Sequence, residues 1–243
     1  MNPKLIKKQF EKSLDTYNKN AIVQKIMAEK LVSELCNIKA EYQNILELGS
    51  GAGLLTKEIA QKIKFRQYFA NDIIEKSEQY IRKIIPTCHF YCGDARRIKP
   101  VQKMDLIISN AMFQWFDNLD KVSKTYSNML NKDGILAFTS FSSENYKEIK
   151  ELTGLSLNYK TIKETEQAFS KDFEILYKQE IMEKLEFSSS LELLAHMKNT
   201  GVNSLSSKHW TFKNVKDFCE KYKDKYPECS LTYDGMLLIC KKL

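Results

Sequence analysis

The sequence is poor in arginine: Arg66, Arg82, Arg96 and Arg97 are the only four, so nearly all of its 38 basic residues are lysines. Chains that grip nucleic acid cluster arginine for bidentate contacts to phosphates and bases. Here the lysines are scattered among 31 acidic residues, and the net charge of +7 reads first as a solvated surface. Eight Gly and four Pro exclude collagen-like and linker-dominated architectures. Six Cys occur without one C-x-x-C pair, which argues for reduced core thiols and against a metal site. No apolar run approaches the roughly 20 residues that cross a bilayer. The start, Met1 to Lys8, lacks the apolar stretch of a secretory signal. A soluble, cytoplasmic protein is expected, without a membrane partner.

What is present is a core-former's composition: 243 residues, 43% hydrophobic and 11% aromatic. That suffices for one α/β domain with additions and excludes a disordered chain. Phe10, Leu14, Tyr17, Ala21, Gln24, Ala28 and Leu31 recur at helical spacing, with a break expected near residues 18–20. From residue 44 strands and helices alternate. Strands are expected at 44–48, 67–71, 89–92, 105–109 and 135–140, with helices at 54–62, 75–85 and 119–130. This rhythm demands a parallel sheet with right-handed crossovers. After residue 141 it changes: helical stretches at 144–153, 191–198 and 215–226 interrupt strand-like runs around Ile175, Ile181, Leu231 and Met236. We expect an amino-terminal helical segment over residues 1–40 that covers the site. A Rossmann-like domain follows over 41–243, with cap helices inserted at about 142–170 and 188–228.

Gly49-Ser50-Gly51-Ala52-Gly53 follows a strand and opens a helix, so its backbone N–H groups can face a ligand at close range. A dinucleotide fingerprint would need Gly where Leu54 stands, and no G-K-S/T sequence exists for a P-loop. Asp72 lies at the end of the second strand, where an acid can accept both ribose hydroxyls. Asp94 ends the third, placed to meet an adenine amino group. Taken singly, each acid could merely cap the helix after it. With the glycine loop in register, the three mark a binding site at the carboxyl ends of parallel strands.

Glu47-Leu48-Gly49-Ser50-Gly51-Ala52-Gly53, Asp72, Gly93-Asp94-Ala95 and 105–110 resemble the class I S-adenosylmethionine-dependent methyltransferases. That resemblance implies a mostly parallel seven-stranded sheet and S-adenosyl-L-methionine as cofactor. It implies cofactor contacts from Glu47, Gly49, Ser50, Gly51, Gly53, Asp72, Ile73, Asp94, Ala95 and Asn110. After the fourth strand, Ser109-Asn110-Ala111-Met112-Phe113-Gln114-Trp115 lacks the Pro-Pro-aromatic signature of nucleic-acid amino methyltransferases. The run is similar instead to small-carboxylate methyltransferases: the trans-aconitate enzymes and the malonyl-[acyl-carrier protein] O-methyltransferase family of biotin synthesis. The amino-terminal helix, Phe138-Thr139-Ser140-Phe141 with Tyr146, and the segment from Leu194 to Asn203 tilt the resemblance to the second.

The implied function is methylation of the free carboxylate of a malonyl thioester on acyl carrier protein, an acidic partner. The alternatives are a free small acid such as trans-aconitate, or an RNA-associated activity. We expect a monomer. A carboxylate is ionised at neutral pH and needs no general base; it needs alignment and exclusion of water. Candidate positioners are Tyr17, Gln114, Trp115, His196 and Lys198. Tyr17 and Trp115 could equally be core aromatics, and His196 and Lys198 surface residues. No arginine follows Arg97, so cap donors must be Lys, His, Tyr or backbone groups. Lys198 is the leading one, because His196 lies roughly 200° away around a helix. The lysines from 213 to 225 are the expected docking face for the carrier.

Overall fold

The computed structural model describes residues 3–201 and 210–243. Two helices open the chain, α1 (Pro3–Asn20) and α2 (Ile22–Ile38), separated at Ala21 where the break was expected. The alternation follows: β1 (Glu41–Leu48), α3 (Leu54–Lys62), β2 (Lys64–Asp72), α4 (Ser77–Ile84), β3 (His89–Cys92), β4 (Met104–Ser109), α5 (Leu119–Met129) and β5 (Leu130–Phe141). The remainder runs α6 (Lys147–Thr153), α7 (Ile162–Phe169), β6 (Phe173–Glu186), α8 (Ser190–Asn199), α9 (Phe212–Lys225) and β7 (Ser230–Lys242). The strands form one seven-stranded sheet in the order β3-β2-β1-β4-β5-β7-β6. All pairings are parallel except those of β7, which is antiparallel to β5 and β6. The expected mostly parallel, Rossmann-like sheet is therefore present.

Both faces of the sheet are covered, so its central strands are apolar on both sides. Alternate residues go to opposite cores. Ile45, Leu106, Ile108, Ala137, Leu237 and Ile239 meet α2 and α3. Leu46, Ile107, Leu136, Phe138, Leu238 and Cys240 meet Tyr126 of α5 and Phe169 of α7. The late strand-like runs prove to be two long strands of 14 and 13 residues, with Asp234 and Gly235 in mid-strand. Among the segments expected to cap the site, α7 lies on the sheet beside α5, while α8 reaches α1. No described helix is long and apolar enough to cross a membrane.

At the end of α8 glycine is required twice over. Gly201 has φ +76°, and a Cβ there would meet the Phe10 ring of α1 at 2.8 Å. The expected motif around it continues into 202–203, which lie outside the described residues.

Leu238 is fully buried opposite Phe138, in the strand that reverses the sheet direction. Leu238→Ala should cost about 2–5 kcal/mol of stability through lost transfer energy and the cavity left behind. Urea unfolding measures it; a loss below about 1 kcal/mol would mean the site collapses without penalty.

Candidate active site

The carboxyl ends of β1, β2, β3 and β4 open into a cavity with about 1150 Å³ of empty space, part of it continuous with solvent. Its floor is the glycine loop. Gly49 and Gly51 hold φ of +67° and +52°, which L side chains rarely adopt. The turn directs the Gly51 N–H to Asp72 Oδ2 at 2.8 Å, while the Ile74 N–H meets Oδ1 at 2.8 Å. Asp72 thus fastens two loops. Its burial pushes the carboxyl above its ordinary value, against the pull of those N–H groups. Asn71, which the sequence reading passed over, ties the neighbouring edge: its Nδ2 donates to the carbonyls of Tyr91 and Gly93.

Glu47 sits at the inner wall, buried, with Thr56 Oγ1 and Tyr68 Oη donating to its Oε2 at 2.6 and 2.5 Å. Burial outweighs those bonds and lifts its carboxyl to about 7. Asp94 is held the other way. The Arg96 guanidinium grips it in a bidentate pair and keeps it below the usual carboxylate range. Ser50 adds a buried hydroxyl with no partner, a polar group left for a ligand.

Nine of the ten expected cofactor positions line this cavity: Glu47, Gly49, Ser50, Gly51, Asp72, Ile73, Asp94, Ala95 and Asn110. Gly53 does not appear in its walls. It starts α3 at φ +78°, and a Cβ there would collide with Ile84. Over the cavity lies α1, contributing Phe10, Leu14 and Tyr17. It is held by Asn18 Nδ2 donating to the Ala52 carbonyl, and by Asp15 contacting Lys76 and Tyr80.

A second, smaller cavity adjoins the first and shares Phe10, Tyr17, Ala111 and Trp115 with it. Gln114 lies in its wall, with Nε2 bonded to the Ala111 carbonyl at 2.6 Å. The structure brings Tyr17, Gln114 and Trp115 to this junction, and does not bring His196 or Lys198 there. The buried face of α8 is Leu193, His196 and Met197; Lys198, one residue further around, points to solvent. His196 hydrogen-bonds the Tyr233 hydroxyl at 2.6 Å inside the core, and burial lowers its pKa so that the ring is neutral. The preference for Lys198 over His196 as an inward donor is thereby corrected: helix geometry turns the histidine inward, and neither residue reaches the cavities. Asn145, Tyr146, Tyr159 and Thr200, not foreseen as site residues, complete the second cavity.

A family model described as "Methyltransferase domain" matches residues 46–138, from β1 through β5. The malonyl-[acyl-carrier protein] O-methyltransferase of Calditerrivibrio nitroreducens is 37% identical over 97% of this chain and 96% of its own length. The protein of that name from Haemophilus influenzae is 31% identical over 97% of this chain and 93% of its own. The chain belongs to this methyltransferase family. Likeness also extends to a solved Bacillus halodurans structure described as a candidate methyltransferase, with a TM-score of 0.63 and 15% identity over 87% of this chain and 98% of that one. At that identity the likeness speaks for the fold. The family model stops at residue 138, so α1 and the second-cavity residues after β5 lie beyond it, within the reach of relatives that match 97% of the chain.

The Glu47 carboxyl generates a prediction about stability. Below its ordinary 4.5 it is neutral in folded and unfolded chains alike. Between 4.5 and about 7 the unfolded chain ionises while the folded one stays protonated, so stability falls as pH rises through that window. Glu47→Gln keeps an oxygen for Thr56 and Tyr68 and removes the titration. The variant should match the parent near pH 4.5 and exceed it above pH 7, read as unfolding midpoints. Parallel pH profiles would show that folding leaves the Glu47 carboxyl at its ordinary 4.5.

Proposed function

We propose that the protein transfers a methyl group from S-adenosyl-L-methionine to the free carboxylate of a malonyl thioester on acyl carrier protein, an early cytoplasmic step of biotin synthesis. The observation that carries this reading is the extent of the kinship. Relatives of that name match 97% of the chain and so take in both cavities, beyond the cofactor-binding half alone.

In this reading the glycine loop lies against the methionine part of the cofactor, and the free Ser50 hydroxyl is available to it. Asp72 has spare lone pairs for the ribose hydroxyls beside the two N–H groups it already accepts. Ile73 and Ala95 flank the adenine. Asp94 meets the adenine amino group by giving up part of its pairing with Arg96. The bound cofactor supplies an electrophilic methyl on a sulfonium: the carboxylate oxygen forms the new O–C bond while the S–C bond breaks and its electron pair stays on sulfur. No proton moves, which fits walls that hold no His–carboxylate dyad among the described residues. The residues contribute alignment, for which good positioning supplies roughly 7–11 kcal/mol of barrier. Phe10, Tyr17 and Trp115 sit at the junction to keep water out. The exposed lysines of α9, from Lys213 to Lys225, form the surface we assign to the acidic carrier, although Lys216 and Lys225 also pair with Glu220 and Glu151.

Asp72→Ala should weaken S-adenosyl-L-methionine binding at least tenfold, since hydrogen bonds to a charged group are worth about 1.5–3 kcal/mol. A calorimetric titration with unchanged affinity would remove Asp72 from the cofactor site. For the acceptor, methyl transfer measured on malonyl-carrier protein, free malonate, trans-aconitate and bulk RNA separates the readings. Preference for any acceptor but the first overturns this one.

A further inference from the structure

The second cavity has a property that its position alone does not require: not one of its lining residues among the described ones is charged. Its walls are Phe10, Tyr17, Gln24, Ala111, Gln114, Trp115, Phe141, Asn145, Tyr146, Leu157, Tyr159 and Thr200, around about 340 Å³ of empty space. They nonetheless carry polar groups without partners. Tyr146 and Gln24, each 2% exposed, leave Oη and Oε1 without a well-formed hydrogen bond; the nearest polar group to the Tyr146 hydroxyl is that of Tyr233, which is already engaged by His196 at 2.6 Å. Buried polar atoms are nearly always satisfied, so an unpaired Tyr146 hydroxyl on a residue of this wall calls for an acceptor, while the Gln24 oxygen can itself only accept and offers nothing to an anion. Tyr159 adds a third group: its Oη accepts from Asn145 Nδ2 at 2.9 Å, which leaves its own proton to donate.

The backbone beneath these groups is strained. Ala111 and Tyr146 hold φ of +50° and +57°, two of the four non-glycine residues with positive φ among the described residues. Both line this cavity. Such conformations persist where surrounding structure over-determines them, and they gather at ligand sites. The Ala111 N–H is fixed by Thr139 Oγ1 at 2.9 Å. The Tyr146 N–H is fixed by the Thr232 carbonyl at 2.9 Å, and its ring stands edge-on to Tyr233 at 4.9 Å. The Tyr146 backbone and ring are thus held by a rigid support.

We propose that this cavity binds the anionic carboxylate of the methyl acceptor through uncharged donors alone, with the Tyr146 hydroxyl as the principal contact and Tyr159 beside it. The inference rests on the carboxyl-methylation reading above. Its chemistry follows from charge. Methyl transfer from a sulfonium to a carboxylate annihilates a positive and a negative charge, so the transition state is less polar than the reactants. A guanidinium or ammonium clamp would stabilise the carboxylate before reaction and lose that interaction as the ester forms, which lowers affinity for the transition state relative to the ground state. Neutral hydroxyls and amides orient the oxygen with a smaller penalty of that kind. The same walls discriminate against the product, whose ester oxygens are far weaker acceptors than a carboxylate. The absence of arginine after Arg97 is then a consequence of the chemistry, and no substitute cation is needed.

Tyr146→Phe keeps the ring against Tyr233 and removes the hydroxyl alone. The test measures steady-state kinetics on malonyl-carrier protein, cofactor affinity by calorimetry, and binding of malonyl-carrier protein against its methyl ester. We expect KM for the malonyl substrate to rise about tenfold, cofactor affinity to stay within twofold, and preference for the acid over the ester to fall about tenfold. Tyr159→Phe should show the same pattern more weakly, and gives a reading should the first variant fail to fold. Unchanged KM in both variants, or equal losses for acid and ester, would overturn the proposal, since a merely structural hydroxyl cannot tell the two apart. Parent protein that methylates a free dicarboxylate and ignores the carrier form overturns the carrier reading only; the Tyr146 comparison is then made on that acid. Parent protein inert on every carboxylate overturns both.

Discussion

Asn71 and Asp72 tie the ends of three strands together, and the first cavity depends on that tie. The Ser50 N–H donates to the Asn71 carbonyl at 3.0 Å, and the Gly93 N–H donates to the Asp72 carbonyl at 2.8 Å. The Asn71 amide reaches the β3 edge, while the Asp72 carboxylate reaches back to the glycine loop. Loops after parallel strands have no ladder of their own to fix them, so their backbone donors must be met by something else. Residues 71 and 72 meet four of them, two through their own backbone carbonyls and two through the buried Asp72 carboxylate. Burying the carboxylate is unfavourable, as its raised pKa records, and its loss would leave the Gly51 and Ile74 N–H groups to fend for themselves. Shape of the floor and charge of the floor are therefore one property.

The sheet was legible because parallel strands buried on both faces read as apolar runs, and glycine with aspartate punctuates their ends. Asp72 and Asp94 could be placed by their position after such runs. Asn71 could not, because an asparagine at a strand end looks like turn chemistry until its two carbonyl partners are seen. Tyr146 and Tyr159 were hidden for a different reason. Tyr159 sits in a stretch after β5 with no helical or strand period, Tyr146 in one that reads as helix with no sign of its chemistry, and only the fold brings them beside Gln24, more than a hundred residues away. The misreading at α8 was avoidable in principle. Leu193 and Met197, four residues apart, define its buried stripe, and a residue one beyond that stripe turns out by about 100°. Lys198 was favoured on its charge when the helical period already pointed it to solvent.

The two cavities divide the electrostatic work between them. Among the described residues the first holds every carboxyl group of the site, Glu47, Asp72 and Asp94, with Arg96 as the only cation in its walls. The second holds none. A cationic cofactor gains from the first arrangement, and an anionic acceptor would be repelled by it. On the proposed placement, an acceptor held across the junction of Phe10, Tyr17 and Trp115 would keep its carboxylate away from those acids. That placement also lets the two reacting charges meet where little else screens them. Low polarity at that point is an advantage specific to this kind of transfer, because the barrier falls when charge disappears on the way over it. If the acceptor is held as proposed, a cap built on tyrosine, asparagine and glutamine follows from the reaction as directly as the acid-lined loop follows from a cationic cofactor.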